Sequence, residues 1–290
     1  MVTLASLFSY LEENLAPLSL LPSSRRLEAK ELACLASGTK PSEFWIRQEM
    51  QLPLAVMSAA EALLARRLQG EPLAYLLGAW DFYGRTFQLN TSCLIPRADS
   101  ETMIDTALDF LKMPTKHLDI LDLCCGSGCL GITLALELAK KNVTVSLTLA
   151  DISSEALAMA AENAGHLGVT PTPTLLNIDA LADPVPATQW DVILFNPPYL
   201  TTAELTGPYK DSLAFEPALA LDGGADGLVF YRAFSLRWLS ALAPDGLALL
   251  EIGQGQAETV LSLLAGRGLT LDAHADLTGI KRIISAQKDA

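Results

Sequence analysis

Positive charge, histidine and aromatic rings are all scarce in this 290-residue chain: 20 Lys+Arg face 33 Asp+Glu, histidines number 3, and aromatics make up 7%. The formal charge of −13 argues against a protein that lives by non-specific attraction to phosphate backbones, although a local basic patch stays open. Long apolar runs are missing too. The most apolar stretch, Leu118–Ala139, is interrupted by Asp119, Asp122, three glycines and Glu137, so no membrane span is expected. No basic segment precedes Glu12 and Glu13, so no signal peptide is expected either. Cysteines number five, an odd count, with Cys124, Cys125 and Cys129 crowded together. That is no disulfide framework, and reduced thiols in a cytoplasm are its simplest account. What remains is a globular composition, 50% hydrophobic and 18% charged. The length exceeds a usual domain of roughly 100–200 residues, which predicts one large domain and one smaller.

The first 80 or so residues read as helices only. Ser23 and Ser24 can cap a helix through Leu27, Leu32 and Leu35 that stops at Gly38. Pro41-Ser42 can open a second through Trp45 and Met50, and Met57–Leu68 a third, ending at Gly70. Between Trp80 and Arg97, the β-prone runs Phe82–Phe87 and Cys93–Ile95 suggest a hairpin linker, followed by a helix over Ser100–Leu111. From residue 117 strands and helices alternate. Strands are predicted at Leu118–Leu123, Val145–Ala150, Thr174–Ile178, Trp190–Phe195 and Leu247–Ile252, with helices at Leu130–Ala139, Ser154–His166 and Phe230–Leu242. This pattern implies a parallel sheet covered on both faces. Leu269–Ala275 and Arg282–Ala286 suggest an antiparallel end.

A glycine loop, Asp122-Leu-Cys-Cys-Gly126-Ser-Gly128-Cys-Leu-Gly131, joins the first of these strands to its helix. Its glycines allow a sharp turn, and the helix start offers free N–H groups to an anion. Asp151 ends the next strand, where a carboxylate can accept hydrogen bonds from both ribose hydroxyls of an adenosine. The loop fits a dinucleotide site, a methyltransferase site, or a tight turn with no ligand.

The segment Asn196-Pro197-Pro198-Tyr199 separates these readings. It lies at the carboxyl end of the fourth strand, where open α/β sheets place ligands. Two prolines remove N–H donors and leave carbonyl acceptors, and Asn196 adds a side-chain carbonyl. Two adjacent acceptors suit a planar –NH2 group, against which Tyr199 can lie flat. The lone pair of an amide or aryl amine is delocalised, so such a nitrogen is a poor nucleophile. Hydrogen bonds accepted from its protons raise its electron density and aim it.

With these motifs the chain resembles the N(5)-glutamine methyltransferases that modify peptide-chain release factors, the HemK/PrmC family. Further blocks carry the likeness: Gly70–Gly78, Leu94–Glu101, Phe215–Leu228, Glu251–Gln256 and Asp276–Arg282, in family order over most of residues 70–290. The resemblance implies a class I S-adenosylmethionine-dependent methyltransferase fold, α/β and Rossmann-like. Its sheet would be mostly parallel and seven-stranded, with a small N-terminal helical bundle. Residues 1–79 would be the helical substrate-recognition domain, 80–99 a β-hairpin linker and 100–290 the catalytic domain. The implied reaction moves a methyl group from S-adenosyl-L-methionine to the side-chain amide of the glutamine in a release factor's Gly-Gly-Gln motif.

By position, Asp122 opens the cofactor loop, and Cys124, Cys125, Gly126, Ser127 and Gly128 border the methionine part. Asp151 would hold the ribose, and Asp179 and Ala180 would lie beside the adenine. Asn196 would face both cofactor and substrate. Its side chain and the Pro197 carbonyl would hold the glutamine amide, with Pro198 and Tyr199 shaping the pocket. No metal, membrane or direct nucleic-acid substrate is implied, and the setting is cytoplasmic. Cys124 departs from the family's usual glycine, and Ala180 stands where an aromatic is common. A glutamine methyltransferase for a large-subunit ribosomal protein is the runner-up, with an adenine-N6 nucleic-acid methyltransferase behind it.

Overall fold

The computed structural model describes residues 2–111, 117–207, 210–211 and 213–288. The chain divides into two compact units, Met1–Ala79 and Trp80–Ala290.

The first unit is built on α1 (Leu4–Asn14), α2 (Pro22–Ser37), α3 (Leu54–Leu68) and α4 (Leu73–Leu77), with β1 (Val2–Thr3) paired antiparallel to β2 (Gln51–Leu52). That two-residue pairing is too short to leave an alternating pattern. Leu4, Leu7, Leu11 and Leu32 are fully buried in the unit's core. The expected serine cap of α2 is absent. Pro22 opens the helix instead, its fixed φ suiting a first turn that needs no donor. Gly38 closes it in the left-handed conformation, as its place predicted. No helix follows Pro41. A single 3-10 turn, Pro41–Glu43, leads into Phe44-Trp45-Ile46. Three consecutive apolar residues make no helical stripe. Phe44 instead plugs the core edge-on to Phe8, at 5.4 Å between ring centroids.

The second unit starts with a hairpin, β3 (Ala79–Phe82) and β4 (Arg85–Gln88). Tyr83 and Gly84 both take positive φ at its tip, the two-residue turn whose twist matches the strands. Its strands lie nearer the N-terminus than the residues suggested. Cys93–Ile95 forms no strand because the Ile95 N–H is taken by the Glu216 carboxylate, at 3.1 Å. After α5 (Glu101–Phe110) come β5 (His117–Leu123), α6 (Cys129–Lys140), β6 (Thr144–Asp151), α7 (Ser154–Leu167), β7 (Thr174–Asn177) and β8 (Trp190–Phe195). Then follow α8 (Thr202–Thr206), α9 (Val229–Arg237), β9 (Leu242–Glu251), α10 (Ala257–Leu264), β10 (Leu269–Ala275) and β11 (Lys281–Lys288). Of these, α8 and α10 have no counterpart in the sequence-based expectation.

Seven strands form one sheet in the order β10-β11-β9-β8-β5-β6-β7, parallel except for β11, which runs against both neighbours. One face is covered by α5, α6 and α7, which bury Met103, Ile104, Leu134 and Leu157 against Ile120, Val192 and Leu249. On the other face Tyr231, Phe234 and Val260 pack on Leu121, Ile193 and Leu250. Strand order reverses between β5 and β8, so the carboxyl ends of these strands open a crevice.

Candidate functional site

Leaving β5, the chain turns sharply into α6. Cys124, Gly126 and Gly128 all take positive φ, at 61°, 53° and 77°. Glycine does this freely, whereas at Cys124 the Cβ makes it unfavourable by about 1–2 kcal/mol. The loop glycines differ in surroundings. A Cβ built on Gly126 meets nothing within 4 Å, so this backbone faces open space. One on Gly128 would lie 2.8 Å from Ile132 Cδ1, and one on Gly131 2.8 Å from Asp122 Cβ. These two glycines serve packing. The loop is also tied down: Gly126 N–H donates to Asp151 Oδ2 (2.9 Å), and Asn163 Nδ2 donates to the Ser127 carbonyl (3.0 Å).

The crevice is a cleft of about 450 Å³, within the range of small-molecule sites. Its walls include Cys124, Cys125, Gly126, Ser127, Asp151 and Asn196. Asp151 closes β6 with Oδ1 accepting from the Ser153 N–H (3.0 Å) and Oδ2 from Gly126, so each oxygen keeps a lone pair for a ligand. Burial raises its pKa, offset in part by these N–H groups. Asp179 and Ala180 line the cleft after β7; Asp179 Oδ1 accepts from Leu181 N–H (2.8 Å), and the Ala180 carbonyl from Trp238 Nε1 (2.9 Å). Ile152 and Ile178 add apolar wall beside them.

Asn196-Pro197-Pro198-Tyr199 leaves the end of β8 and is gripped from behind. Gln256 Nε2 donates to the Tyr199 carbonyl (3.1 Å) while its Oε1 accepts from Gly253 N–H (2.8 Å). Gly223 lets the chain pass close: a Cβ there would sit 2.8 Å from the Pro198 oxygen. A second cavity of about 80 Å³, the size of a small side chain, is lined by Asn196, Pro197, Tyr199, Leu213 and Leu221 among others. Asn196 belongs to the walls of both cavities. Burial pushes the Tyr199 phenol up to about 12, so it meets neutral solution as an uncharged ring.

The structure therefore gathers most of the residues singled out from sequence, but in distinct places. Cys124 to Ser127, Asp151, Asp179, Ala180, Asn196 and Pro198 line the large cleft, and Pro197 and Tyr199 line the small pocket. Asp122 and Gly128 are in neither lining. Asp122 is fully buried under the loop, with Oδ2 accepting from Gly131 N–H (2.8 Å) and Oδ1 without a partner. Burial pushes its carboxyl up to about 7. Sequence reasoning assigned no role to Arg97, Glu216 or Glu251. Glu216 accepts from both Ile95 N–H and the Arg97 guanidinium, holding the segment that walls both cavities. Their motif blocks were visible; the pairing across more than a hundred residues was not. Among the described residues no cluster of three or more His, Cys, Asp or Glu could hold a metal ion, and no helix is long and apolar enough to cross a membrane.

A seven-stranded sheet with one reversed strand, a glycine turn, an acidic residue closing the second parallel strand and Asn-Pro-Pro-Tyr after the fourth define a class I S-adenosylmethionine-dependent methyltransferase. A profile of the methyltransferase small domain matches residues 98–222, and one of the PrmC N-terminal domain matches residues 18–78. The release factor glutamine methyltransferase of Geobacter sulfurreducens is 35% identical over 263 residues, covering 90% of this chain and 89% of that protein. That of Moorella thermoacetica is 37% identical over 243 residues, covering 84% of this chain and 83% of its own. The chain belongs to the release factor glutamine methyltransferase family. Its cofactor is S-adenosylmethionine, and the cleft fits that group. Asp151 offers lone pairs for ribose hydroxyls, and Ile152, Ile178 and Ala180 give apolar wall for a flat base. Gly126 leaves room for close approach, and Cys129 and Leu130 bring the α6 N-terminus to the wall, where a carboxylate is favoured.

Proposed function

We propose that the protein methylates the side-chain amide nitrogen of the glutamine in the Gly-Gly-Gln motif of peptide-chain release factors. The observation that carries this reading is Asn196, standing where the cofactor-sized cleft meets a pocket sized for one side chain.

Held in the cleft, S-adenosylmethionine would supply the sulfonium methyl group for the amide nitrogen, with S-adenosylhomocysteine as the leaving group. Asp151 would anchor the ribose, and the Gly126 turn and α6 N-terminus would take the methionine part. Asp179 and Ala180 would border the adenine. Asn196 Oδ1 and the Pro197 carbonyl accept the two amide N–H groups, orienting the nitrogen and enriching its electron density. Pro198 holds the turn and Tyr199 packs flat on the amide plane. Alkylation leaves the amide nitrogen strongly acidic, so the released proton passes to water and no strong base is required. Residues 1–79 dock the protein substrate, 80–99 link, and 100–290 carry out the transfer, in the cytoplasm and without a nucleic-acid substrate.

The test is incubation of the protein and methyl-labelled cofactor with a purified release factor, a large-subunit ribosomal protein and DNA in separate tubes. The expected result is a single methyl group on the Gly-Gly-Gln glutamine, located by mass spectrometry. Label confined to ribosomal protein or to adenine overturns the reading.

A further inference from the structure

Glu251 is the last residue of β9 and is 3% exposed. Register sets its neighbours. Leu123, Phe195 and Leu250 are partnered across β5, β8 and β9, so the next residues, Cys124, Asn196 and Glu251, form a row across the carboxyl ends of these strands. The Ser100 hydroxyl and the Asn196 carboxamide both favour the anion of the Glu251 carboxyl. Oε2 of Glu251 and Oγ of Ser100 are both buried without a hydrogen-bond partner. Nor does a salt bridge explain the residue. The nearby Arg282 is engaged by Asp99 (3.2 Å) and Asp276 (3.3 Å). A buried carboxylate without a close cation is a liability to folding that an apolar side chain would avoid.

We propose that Glu251 is a positioning residue for methyl transfer: its carboxylate accepts from Asn196 Nδ2–H and thereby fixes Oδ1 towards the acceptor amide. The proposal rests on the glutamine-methylation reading. A carboxamide has a donor end and an acceptor end of nearly equal shape, and the neighbour decides which way it turns. An acceptor-only carboxylate selects the N–H end, and its charge polarises the Asn196 carbonyl, which strengthens Oδ1 as an acceptor. A protonated Glu251 would donate to Oδ1 instead and turn the Asn196 N–H groups towards the substrate's own N–H groups, where two donors meet.

The group is poised between these forms. Burial pushes its carboxyl up to about 7; Ser100, Arg282 and Asn196 favour the anion, and Asp99 opposes it. Tyr199, Tyr231 on α9 and Cys129 on α6 also feel its charge. The folded pKa is raised, so the anion fills in as pH climbs through neutrality, and turnover should climb with it.

The full-length protein and its Glu251→Gln and Glu251→Leu variants decide the matter, with a purified release factor as acceptor, calorimetry of S-adenosylmethionine binding, and NMR of the Asn196 side-chain amide across neutral pH. The Leu variant should lose about 10–100-fold in kcat, with KM and cofactor Kd little changed. The Gln variant, which can still present a carbonyl to Nδ2–H but lacks the charge, should fall between the parent and the Leu variant and lose the rise of turnover with pH. In the parent protein the Asn196 amide resonances should titrate near neutrality, and in both variants they should not. A Leu variant at the parent kcat, a Gln variant whose turnover still rises with pH, or Asn196 resonances that ignore pH overturns the proposal. Absence of glutamine methylation by the parent would instead sink the functional reading, and the NMR titration would still judge Glu251.

Discussion

Replacing Gly131 by alanine should destabilise the protein, although the same change in a helix usually helps. Gly131 is buried in the first turn of α6, and its N–H donates to Asp122 Oδ2 at 2.8 Å. A Cβ there would meet Asp122 Cβ at 2.8 Å, Asp122 Oδ2 at 3.0 Å and Leu147 Cδ1 at 3.0 Å. Leu147 can yield at its flexible end, but Asp122 Cβ is fixed to β5, so the helix must move away. Overpacking of this kind costs about 1–3 kcal/mol. Stretching a hydrogen bond to a buried carboxylate adds about 1.5–3 kcal/mol if it is lost. Relief of glycine's poor helix propensity returns about 1 kcal/mol. The net loss centres on about 3 kcal/mol, a fall in Tm of about 6–12 °C. Gly165 in α7 is the matched control, because a Cβ there meets nothing within 4 Å. Gly165→Ala should raise stability by about 0.5–1 kcal/mol. Thermal unfolding followed by circular dichroism compares the two. A Gly131→Ala protein as stable as the parent would refute the claim that this glycine exists to let Asp122 reach the helix.

Asn196→Ala should leave S-adenosylmethionine affinity nearly intact but lower kcat about 10²–10³-fold, the usual loss of one preorganised polar group; turnover at the parent rate would remove the amide clamp. Asp151→Ala should weaken cofactor binding, since it removes lone pairs aimed into the cleft and frees the Gly126 N–H that fixes the turn; an unchanged Kd by calorimetry would take Asp151 out of the cofactor site.

The sheet was legible because its strands are short apolar runs between polar breaks. Trp190–Phe195 and Leu269–Ala275 fall where the pattern put them. The glycine turn and Asn196 were legible as local motifs whose chemistry is carried by adjacent residues. What escaped was pairing at a distance. Gln256 bonds to Tyr199 across 57 residues, and Glu216 reaches Ile95 across 121. Neither side chain has a local pattern that names its partner. The helix expected after Pro41 failed for a different reason: Phe44 gains more by plugging the first unit's core than three successive apolar residues gain as a helix that buries only one of them.

The cleft poses a problem of selectivity that positioning alone does not solve. Cys93, Cys124, Cys125 and Cys129 all contribute to its wall, and a thiolate is a far stronger nucleophile towards a sulfonium methyl than any amide. The protein keeps these sulfurs protonated. Burial is the main cause for each thiol, and the charges of Asp122 and Asp151 add to it at Cys124 and Cys125. Asp122 and Glu251 do the same at Cys129. Cys93 is raised from 9.0 to about 11, which leaves about a hundredfold less thiolate than a free cysteine at the same pH. Asp151 thus has two effects, offering acceptors to the ligand and helping to suppress the competing nucleophiles, while the buried Asp122 and Glu251 serve only the second. Accordingly, iodoacetamide at neutral pH should label these four cysteines at least about tenfold more slowly than a free thiol, and turnover should leave them unmethylated. Labelling at the free-thiol rate, or S-methylcysteine in the cleft by mass spectrometry, would show that a delocalised amide wins the methyl group by some means other than the silence of its sulfur neighbours.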